Sequence, residues 1–439
     1  MNYEFINNLL KNNSIMKKTI CLFFLTCLLA GCTYDYKETY SYKINEPVFM
    51  SMNEFRNSVK ITKEQHQINN YGKICFYNGF LYISESEVGI HIINNTNPSQ
   101  PRIVGFIELV GNADLAIRDN VLYADALIDL VWFDIADPAN PKFKGRLENA
   151  FPDALPIIDN PYEYDYSMCY TANGDKKGLV VGWTLKERTG ESVTQRNWWV
   201  NTWLGTADYA YAAKESNSQS AGVNGSMSRF SLYNDYLYTV VNYQMCIFDL
   251  KKDQTPIKVL ENFWVGNVET IFNYKDKMFL GMPTGMAIYS VENPIEPAYC
   301  STVWHVLGCD PVVVDDDLAY VTVRSGNFCG QTIDQLIIID VQDVYQPKPV
   351  VSYTMKNPKG LGIDNNALFL CDDGLKVFKL GNPQTLIADQ IVHHQGMDGF
   401  DVIPYDNVLM MIADNGLYQY DYSNISKIEQ LSVIPITKK

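Results

Sequence analysis

The sequence lacks the motifs that would assign an activity directly. It contains only five histidines, none with HExxH or other metal-binding spacing, and it has no P-loop, dinucleotide fingerprint or G-x-S-x-G elbow. Basic residues are also scarce, with 35 lysines and arginines against 50 aspartates and glutamates. Such a surface repels nucleic acid and anionic headgroups, because binding to either depends on phosphate neutralisation. We therefore expect no nucleic-acid partner.

Long apolar runs are missing as well, and the one short run has a specific context. Lys17 and Lys18 precede the apolar stretch from Ile20 to Leu25, which is too short to span a bilayer as a stable helix. A positive segment, an apolar segment and small residues before a cysteine are typical of an export signal. Residues 1–31 are predicted to be a signal peptide whose true start is Met16. Their removal takes away three lysines and one glutamate and leaves a net charge of −17.

The end of this signal, Leu29-Ala30-Gly31-Cys32, resembles the bacterial lipobox. The resemblance implies that Cys32 is acylated and becomes the mature N-terminus, so that the acyl chains attach the protein to the outer membrane. The alternative is an ordinary cleaved signal with an incidental cysteine. Residues 32–69 are predicted to be a lipid-anchored tether and a short segment before the main domain. Within it, Ser51 and Glu54 have capping-box spacing, which favours a short helix near Asn53 to Val59.

An apolar pair follows a turn residue eight times along the chain, at intervals of 41, 57, 58, 41, 41, 49 and 41 residues. The pairs begin at Leu81, Leu122, Leu179, Leu237, Met278, Ala319, Leu368 and Leu409. A period near 41 is typical of a propeller with four-stranded blades. We predict an all-β protein whose residues 70–439 form a β-propeller of about eight four-stranded blades. Seven blades is the alternative, because the unit at Leu179 to Leu185 has no clear third strand; residues 151–226 would then form a side structure.

The third strand of each unit carries a recurring pentapeptide and often ends at Asn-Pro or Asp-Pro, which stops a strand. The clearest copies are Leu336 to Asp340, Leu130 to Asp134 and Met245 to Asp249, and the weaker ones are Ile90 to Asn94, Met286 to Ser290, Leu375 to Lys379 and Leu417 to Asp421. These segments resemble the LVIVD repeat of bacterial cell-envelope proteins, many of which are lipoproteins. The resemblance implies a propeller in the cell envelope and no shared catalytic motif.

An acidic residue often follows glycine just before the first strand of a unit. The cases are Asp114, Glu269, Asp310 and Asp398. Repeated around a ring, they would place several carboxylates near the mouth of the central channel. Converging oxygens of this kind could hold Ca²⁺ or contact sugar hydroxyls. The alternative is that each carboxylate caps backbone N–H groups at its own strand.

The largest insertion, residues 186–226, carries a cluster of aromatic residues that includes Trp198, Trp199 and Trp203. Exposed indole rings would suit stacking on sugars or on a protein partner, whereas buried ones would fill the place of the missing strand. A loop of this length inside a compact domain is usually functional.

The seven cysteines after Cys32 contain no CxxC pair, which argues against a zinc ribbon or a thioredoxin-like site. Cys309 and Cys329 are predicted to form a disulfide, because Cys309 precedes the first strand of its unit and Cys329 lies in an enlarged loop after the second strand. The alternative is that all seven are free. Cys75, Cys169, Cys246 and Cys371 lie in strand patterns, where a buried thiol acts as a small apolar group.

Together these features predict a non-catalytic binding or scaffold lipoprotein of the bacterial envelope, on the periplasmic or the cell-surface side. Its ligand is expected to be a glycan or another envelope protein. The alternative is a glycan-active hydrolase or lyase that uses the channel-mouth carboxylates.

Overall fold

Seven antiparallel blades of four strands follow one another along the described part of the chain, and the sheet of the first blade is extended by one strand at each edge. The structure, a computed structural model, describes residues 39–63, 66–158, 160, 162–171, 174–191, 223–241, 243–304, 311–325 and 333–437. In each sheet the strands lie side by side in chain order, here called a, b, c and d from the inside of the ring outward. The a strands contact those of the neighbouring sheets all round, and the last contacts the first. The sheets are therefore the blades of a closed β-propeller.

The first four blades lie between residues 71 and 304. Blade 1 contains β3 (Tyr71–Tyr77), β4 (Phe80–Glu85), β5 (Gly89–Asn94) and β6 (Arg102–Glu108); blade 2 contains β7 (Leu115–Arg118), β8 (Val121–Ala126), β9 (Asp129–Asp134) and β10 (Lys142–Leu147). Blade 3 contains β13 (Phe230–Tyr233), β14 (Tyr236–Val241), β15 (Gln244–Asp249) and β16 (Ile257–Trp264); blade 4 contains β17 (Thr270–Tyr274), β18 (Lys277–Met282), β19 (Gly285–Ser290) and β20 (Ala298–Trp304).

The remaining blades follow the same order. Blade 5 contains β21 (Val312–Asp315), β22 (Leu318–Val323), β23 (Gln335–Asp340) and β24 (Lys348–Thr354); blade 6 contains β25 (Leu361–Asp364), β26 (Ala367–Cys371), β27 (Leu375–Lys379) and β28 (Gln390–His394). Blade 7 contains β29 (Gly399–Tyr405), β30 (Val408–Ala413), β31 (Gly416–Asp421) and β32 (Glu429–Pro435). A 3-10 helix, Pro383–Asp389, lies between strands c and d of blade 6.

The repeated pentapeptide forms strand c of every blade. Strands b and c are almost wholly buried, whereas strand d is half exposed, as β8, β9 and β10 illustrate. The predicted Asn-Pro and Asp-Pro turns lie between strands c and d, where the side chains of Asn97, Asp137, Asn293 and Asn382 accept the N–H two residues further on. These Asx turns end strand c and return the chain to form strand d.

The prediction of about eight blades is wrong in number, and the seven-bladed alternative is confirmed. The apolar segment at Leu179 is not part of a blade. It belongs to β11 (Leu179–Glu191), which pairs with β1 (Thr39–Met50) in a two-stranded sheet outside the blades. Its apolar pattern identifies a strand, but the strand that pairs with it precedes the ring. The outer ends of this sheet, residues 39–43 and 187–191, fall in a separate small unit.

The segment before blade 1 contains the predicted helix. Helix α1 (Met52–Arg56) begins at Ser51 with a complete capping box to Glu54 and buries Phe55. β2 (Lys60–Thr62) then pairs with β6 on the outer edge of blade 1. A second 3-10 helix, Tyr166–Cys169, lies in the chain between blades 2 and 3.

All five cysteines in the described part of the chain, Cys75, Cys169, Cys246, Cys300 and Cys371, are free. Three of them are buried in strands as predicted. Cys169 is buried too, but it ends a 3-10 helix, so its assignment to a strand is wrong. Cys309 and Cys329 lie outside the described residues, and their disulfide stays a prediction.

The ring closes without exchanging a strand, because blades 1 and 7 are each built from one continuous segment. The joint is made instead by side chains. Asn95 and Gln419 exchange two buried amide hydrogen bonds, of 2.9 and 2.6 Å, and Ser432 donates to the carbonyl of Pro98. An apolar cluster that includes Ile83, Met410 and Leu417 fills the space between the two sheets.

We expect Gln419→Ala to lower the free energy of unfolding by about 2 kcal/mol, since the buried amide of Asn95 would lose both of its partners. Urea denaturation measures the change. Replacing both residues by leucine is the control, because removing both polar partners costs less than leaving one unsatisfied. A larger loss in the double variant than in the single one would contradict this account.

Candidate functional site

The inner strands carry a charged residue at one register position in four consecutive blades. Asp401, Lys73, Asp114 and Arg229 each lie four residues before the last residue of strand a, in blades 7, 1, 2 and 3. Their charges alternate in sign around this part of the ring. Blades 4, 5 and 6 have Thr270, Pro311 and Gly360 at the same position. The four charged residues are here called the inner charge row.

Lys73 and Asp114 of the inner charge row are held by an ion pair and by hydrogen bonds to the neighbouring blades and to the chain between them. The ammonium group of Lys73 lies 3.8 Å from Oδ2 of Asp114 and donates to the carbonyl of Met227 at 3.1 Å. Asp114 also accepts the Arg229 backbone N–H at 2.7 Å and the Leu115 N–H at 2.8 Å. Lys73 and Asp114 are both buried. The neighbouring blades therefore supply the partners that each charge needs inside the protein.

A stretch of the chain itself runs along the inside of the ring. Residues 223–229, here called the inner segment, begin with β12 (Val223–Asn224), which pairs antiparallel with β3 on the axial edge of blade 1. The backbone of Ser228 accepts the N–H of Ile271 in blade 4, and the Asn224 amide donates to the carbonyl of Leu115 in blade 2. The inner segment therefore adds an axial strand to blade 1, whose sheet has six strands when β2 is included, and it bonds to other blades.

Ser226 joins the inner segment to blades 6 and 7. Its N–H and hydroxyl both donate to Oδ1 of Asp401, at 3.0 and 2.9 Å, and its oxygen accepts the N–H of Leu361 at 2.8 Å. Gly225 and Gly360 allow the backbone to approach the Asp401 carboxyl group this closely, because they have no side chain. A Cβ added to Gly225 would lie 2.0 Å from Oδ2 of Asp401, and one added to Gly360 would lie 2.3 Å from Oδ1. No larger side chain fits beside this carboxyl group.

Burial is the largest cause of the pKa shifts in and around the inner charge row. Removal from water raises the pKa of Asp401 to about 8 and that of Asp125 to about 6. It also raises the pKa of Asp114, although Lys73 opposes the change, and it lowers the pKa of Lys73 to about 7. Perturbed pKa values often mark functional sites, but networks that hold a fold together perturb them too. Because the inner segment bonds to these carboxyl groups, we assign this network to those that hold a fold together.

The predicted channel-mouth acids have separate surroundings. Asp114 belongs to the inner charge row, and its bond to the Leu115 N–H confirms the strand-capping alternative for this residue. Asp398 is half exposed and accepts a hydrogen bond from the ammonium group of Lys359 at 2.6 Å. Glu269 is buried at the start of blade 4. Asp310 lies outside the described residues. Across the described ranges no three acidic, histidine or cysteine side chains are grouped to hold a metal ion, so the Ca²⁺ hypothesis gains no support from Asp114 and Asp398.

The predicted aromatic residues Trp198, Trp199 and Trp203 lie outside the described residues, but two other tryptophans are prominent. Trp264 ends β16 and Trp304 ends β20, and their side chains are 67% and 71% exposed. They pair with Gln244 and Gly285, the first residues of strand c in blades 3 and 4. Both indoles therefore occupy the same register on the face of the ring that carries the b–c turns. Sequence reasoning missed them, although their shared position at the end of strand d was a readable signal.

One comparison with a known structure supports the fold, and two others give TM-scores below 0.5. The periplasmic gluconolactonase PpgL of Pseudomonas aeruginosa is 10% identical to this chain, with a TM-score of 0.50 over 84% of this chain and 97% of that one. The computationally designed protein Ika8 is 9% identical, with a TM-score of 0.47 over 84% and 88% of the two chains. Hsv2 of Kluyveromyces lactis is 9% identical, with a TM-score of 0.43 over 83% and 98%. No protein-family model and no curated protein matches the chain. The resemblance to the LVIVD repeat stays a prediction.

Proposed function

We propose that the protein is a non-catalytic binding or scaffold lipoprotein of the bacterial envelope, whose ligand is a glycan or another envelope protein. The inner segment carries this proposal. Residues 223–229 follow the axial edge of blade 1 and use Asp401 and Asp114 as hydrogen-bond acceptors, so these carboxyl groups serve to hold the blades together. Recognition is then left to the outer surfaces and loops, where the exposed tryptophans lie.

A glycan-active hydrolase or lyase is the alternative function. Such an enzyme needs two carboxyl groups that reach the substrate from a concave pocket, with pKa values set apart. Asp114 is buried and bound by four protein groups, and Asp398 is paired with Lys359. These contacts favour the binding proposal over the enzymatic one. The likeness to a gluconolactonase is one of fold and adds no argument for that activity.

The two functions predict different results with the same glycans. The detergent-solubilised protein is run through native gels that contain one polysaccharide each, and the same polysaccharides are incubated with it and analysed for new ends. We expect retention in at least one gel and no release of product. Product formation above the buffer control would contradict the binding proposal.

Attachment to the membrane is proposed to come from the acyl chains at Cys32, on the periplasmic or the cell-surface side of the outer membrane. Among the helices of the described residues, none has the length and apolar character to cross a bilayer. The net charge of −15 opposes electrostatic attraction to anionic lipids. Buried acyl carbons contribute about 0.8 kcal/mol each, which is enough for stable anchoring when more than one chain is attached.

We expect Cys32→Ser to release the protein from the membrane fraction, because the serine cannot take the thioether-linked lipid. Fractionation followed by a high-salt wash measures the change. Cys75→Ser is the matched control, since that thiol lies inside blade 1 and should leave the distribution between fractions unaltered. If the Cys32 variant stays with the membranes after the wash, the anchor is elsewhere.

A further inference from the structure

Two indole rings project from neighbouring blades at one register position. Trp264 and Trp304 each end strand d opposite the first residue of strand c, and about seven-tenths of each side chain is exposed. Large aromatic side chains normally lose most of their surface to water on folding, because burial of that area is favourable. Two such residues left in solvent at equivalent positions indicate a repeated binding element.

The backbone fixes both tryptophans. The N–H of Val265 donates to the carbonyl of Tyr243 at 3.0 Å, and the Tyr243 ring stacks on Trp264 with centroids 5.5 Å apart. In blade 4, a Cβ added to Gly285 would lie 2.2 Å from the carbonyl oxygen of Val303, so strands c and d approach closely beside Trp304. The Trp264 ring is therefore held in place before any ligand arrives, and the backbone that carries Trp304 is fixed, which lowers the entropic cost of binding.

The surroundings of these rings distinguish between ligand classes. Within three residues of Trp264 along the chain, Glu261, Asn262 and Asn267 are polar and exposed. A protein interface usually surrounds its aromatic anchors with further apolar area at its core, whereas a sugar needs a flat aromatic face with amide or carboxylate groups for its hydroxyls. The C–H bonds on one face of a pyranose ring pack against the electron-rich face of an indole. The polar flanks of Trp264 match the second pattern.

The net charge of the protein further limits the class of ligand. A net charge of −15 makes the approach of a polyanion unfavourable, so a sulfated or uronic-acid polymer is a poor fit. We infer that Trp264 and Trp304 form a stacking site for a neutral polysaccharide that spans blades 3 and 4. This inference rests on the proposed binding function and names the class of its ligand. Two equivalent indoles suit a polymer, because one chain presents the same sugar face more than once.

Affinity electrophoresis of the detergent-solubilised full-length protein tests the site. The probes are the neutral polysaccharides laminarin, xyloglucan, galactomannan and amylopectin, with polygalacturonate and chondroitin sulfate as anionic counterparts. We expect retention by at least one neutral polymer, weaker binding by about tenfold or more in W264A and in W304A, and loss of retention in the double variant. Because both rings are exposed, the melting temperatures of these variants should match that of the wild type.

Tyr345→Ala is the matched control. Tyr345 is 65% exposed but lies in the c–d turn of blade 5, at the opposite face of the ring, so this variant should be retained like the wild type. Retention of the wild type by anionic polymers alone would overturn the inference, as would equal retention of the double variant. Failure of every neutral polymer to retain the protein would overturn it as well.

The outcomes also separate this inference from the proposed function. If the double tryptophan variant binds a glycan as tightly as the wild type, the protein is a glycan binder and only the assignment of the site fails. If no polymer is retained but a purified envelope protein binds, the ligand class fails and the binding function stands. If a neutral polymer is cleaved, the proposed function itself is wrong.

Discussion

Replacing Asp401 by alanine is expected to lower the free energy of unfolding by about 3–5 kcal/mol near pH 4, where burial still keeps the folded carboxyl group protonated and the cost of that raised pKa is small. The carboxyl group accepts the Ser226 N–H, the Ser226 hydroxyl and the N–H of Val402, all of them buried. Each donor left without an acceptor costs about 1–3 kcal/mol. The loss should also loosen the inner segment from blade 7, since the Asp401 carboxyl group accepts both of the hydrogen bonds that Ser226 donates there. Urea denaturation gives the free energy, and hydrogen exchange at Ser226 and Leu361 reports the local opening.

Asp401→Asn is the control that separates the hydrogen bonds from the charge. Burial raises the pKa of Asp401 to about 8, so the folded protein holds this group protonated at pH 7, and an amide imitates that state. Because the folded pKa lies above the unfolded value, the folded state binds the additional proton between about pH 4 and pH 8. The stability of the wild type should therefore fall as the pH rises through this window.

In Asp401→Asn this part of the pH dependence should disappear, and the variant should be more stable than the wild type at pH 7. Asp125 and Glu87 have pKa values raised in the same direction, but they are present in both proteins and cancel in the difference. Lys73 does not cancel, because Asp401 is one of the charges that set its pKa, which burial lowers to about 7. The two proteins should therefore be compared between pH 5 and pH 7, below the range in which Lys73 contributes with the opposite sign. Equal losses in the alanine and asparagine variants would contradict the role of these hydrogen bonds.

Asp129→Ala is expected to cost about 3–5 kcal/mol and to detach helix α1 from blade 2. The carboxylate is fully buried and accepts Nη1 of Arg146 at 2.8 Å, Nε of Arg56 at 3.1 Å and the N–H of Asn149 at 2.7 Å. Its removal leaves two partly buried guanidinium groups without their shared anion, and breaking one side of a buried ion pair costs several kcal/mol. Urea denaturation and proteolysis near Arg56 measure the two effects.

Glu148→Ala is the matched control, because Glu148 also pairs with Arg56, at 2.7 Å, but its side chain is 56% exposed. Water screens such a pair, so we expect a change within about 1 kcal/mol. A loss in Glu148→Ala as large as that in Asp129→Ala would show that Arg56, and not the buried carboxylate, governs the docking of the helix.

The inner charge row shows which residues of the site the sequence could predict and which it could not. Asp114 was singled out because it follows glycine at the start of a repeat, and it does lie at the inner end of a blade. Its cationic partner, Lys73, comes from the blade before it, and Arg229 comes from the blade after it. The residues near Asp114 in the sequence do not predict that Lys73 and Arg229 will be its partners. The three residues come together only when the ring brings equivalent positions of different repeats side by side. Electrostatic complementarity between blades is a property of the closed ring.

The repeat determined the class of fold and the layout of each blade. Apolar pairs in strand b, the pentapeptide in strand c and the Asn-Pro or Asp-Pro turns are local signals, since a strand and its hairpin partner lie within some twenty residues of each other. The capping box at Ser51 is local as well, and the helix begins there. These elements are readable because the interactions that form them join neighbours in the chain.

The number of blades and the contents of the channel were decided only by the tertiary structure. The strand at Leu179 has the apolar pattern of a blade but pairs with β1, more than a hundred residues earlier, because alternation marks a buried face and does not specify which strand will cover it. The inner segment offers only Gly225 and two serines, yet it joins blades through Asp401 and Asp114. Pairing between distant strands depends on the geometry of the closed ring, and that geometry exists only once the other blades have folded around the axis.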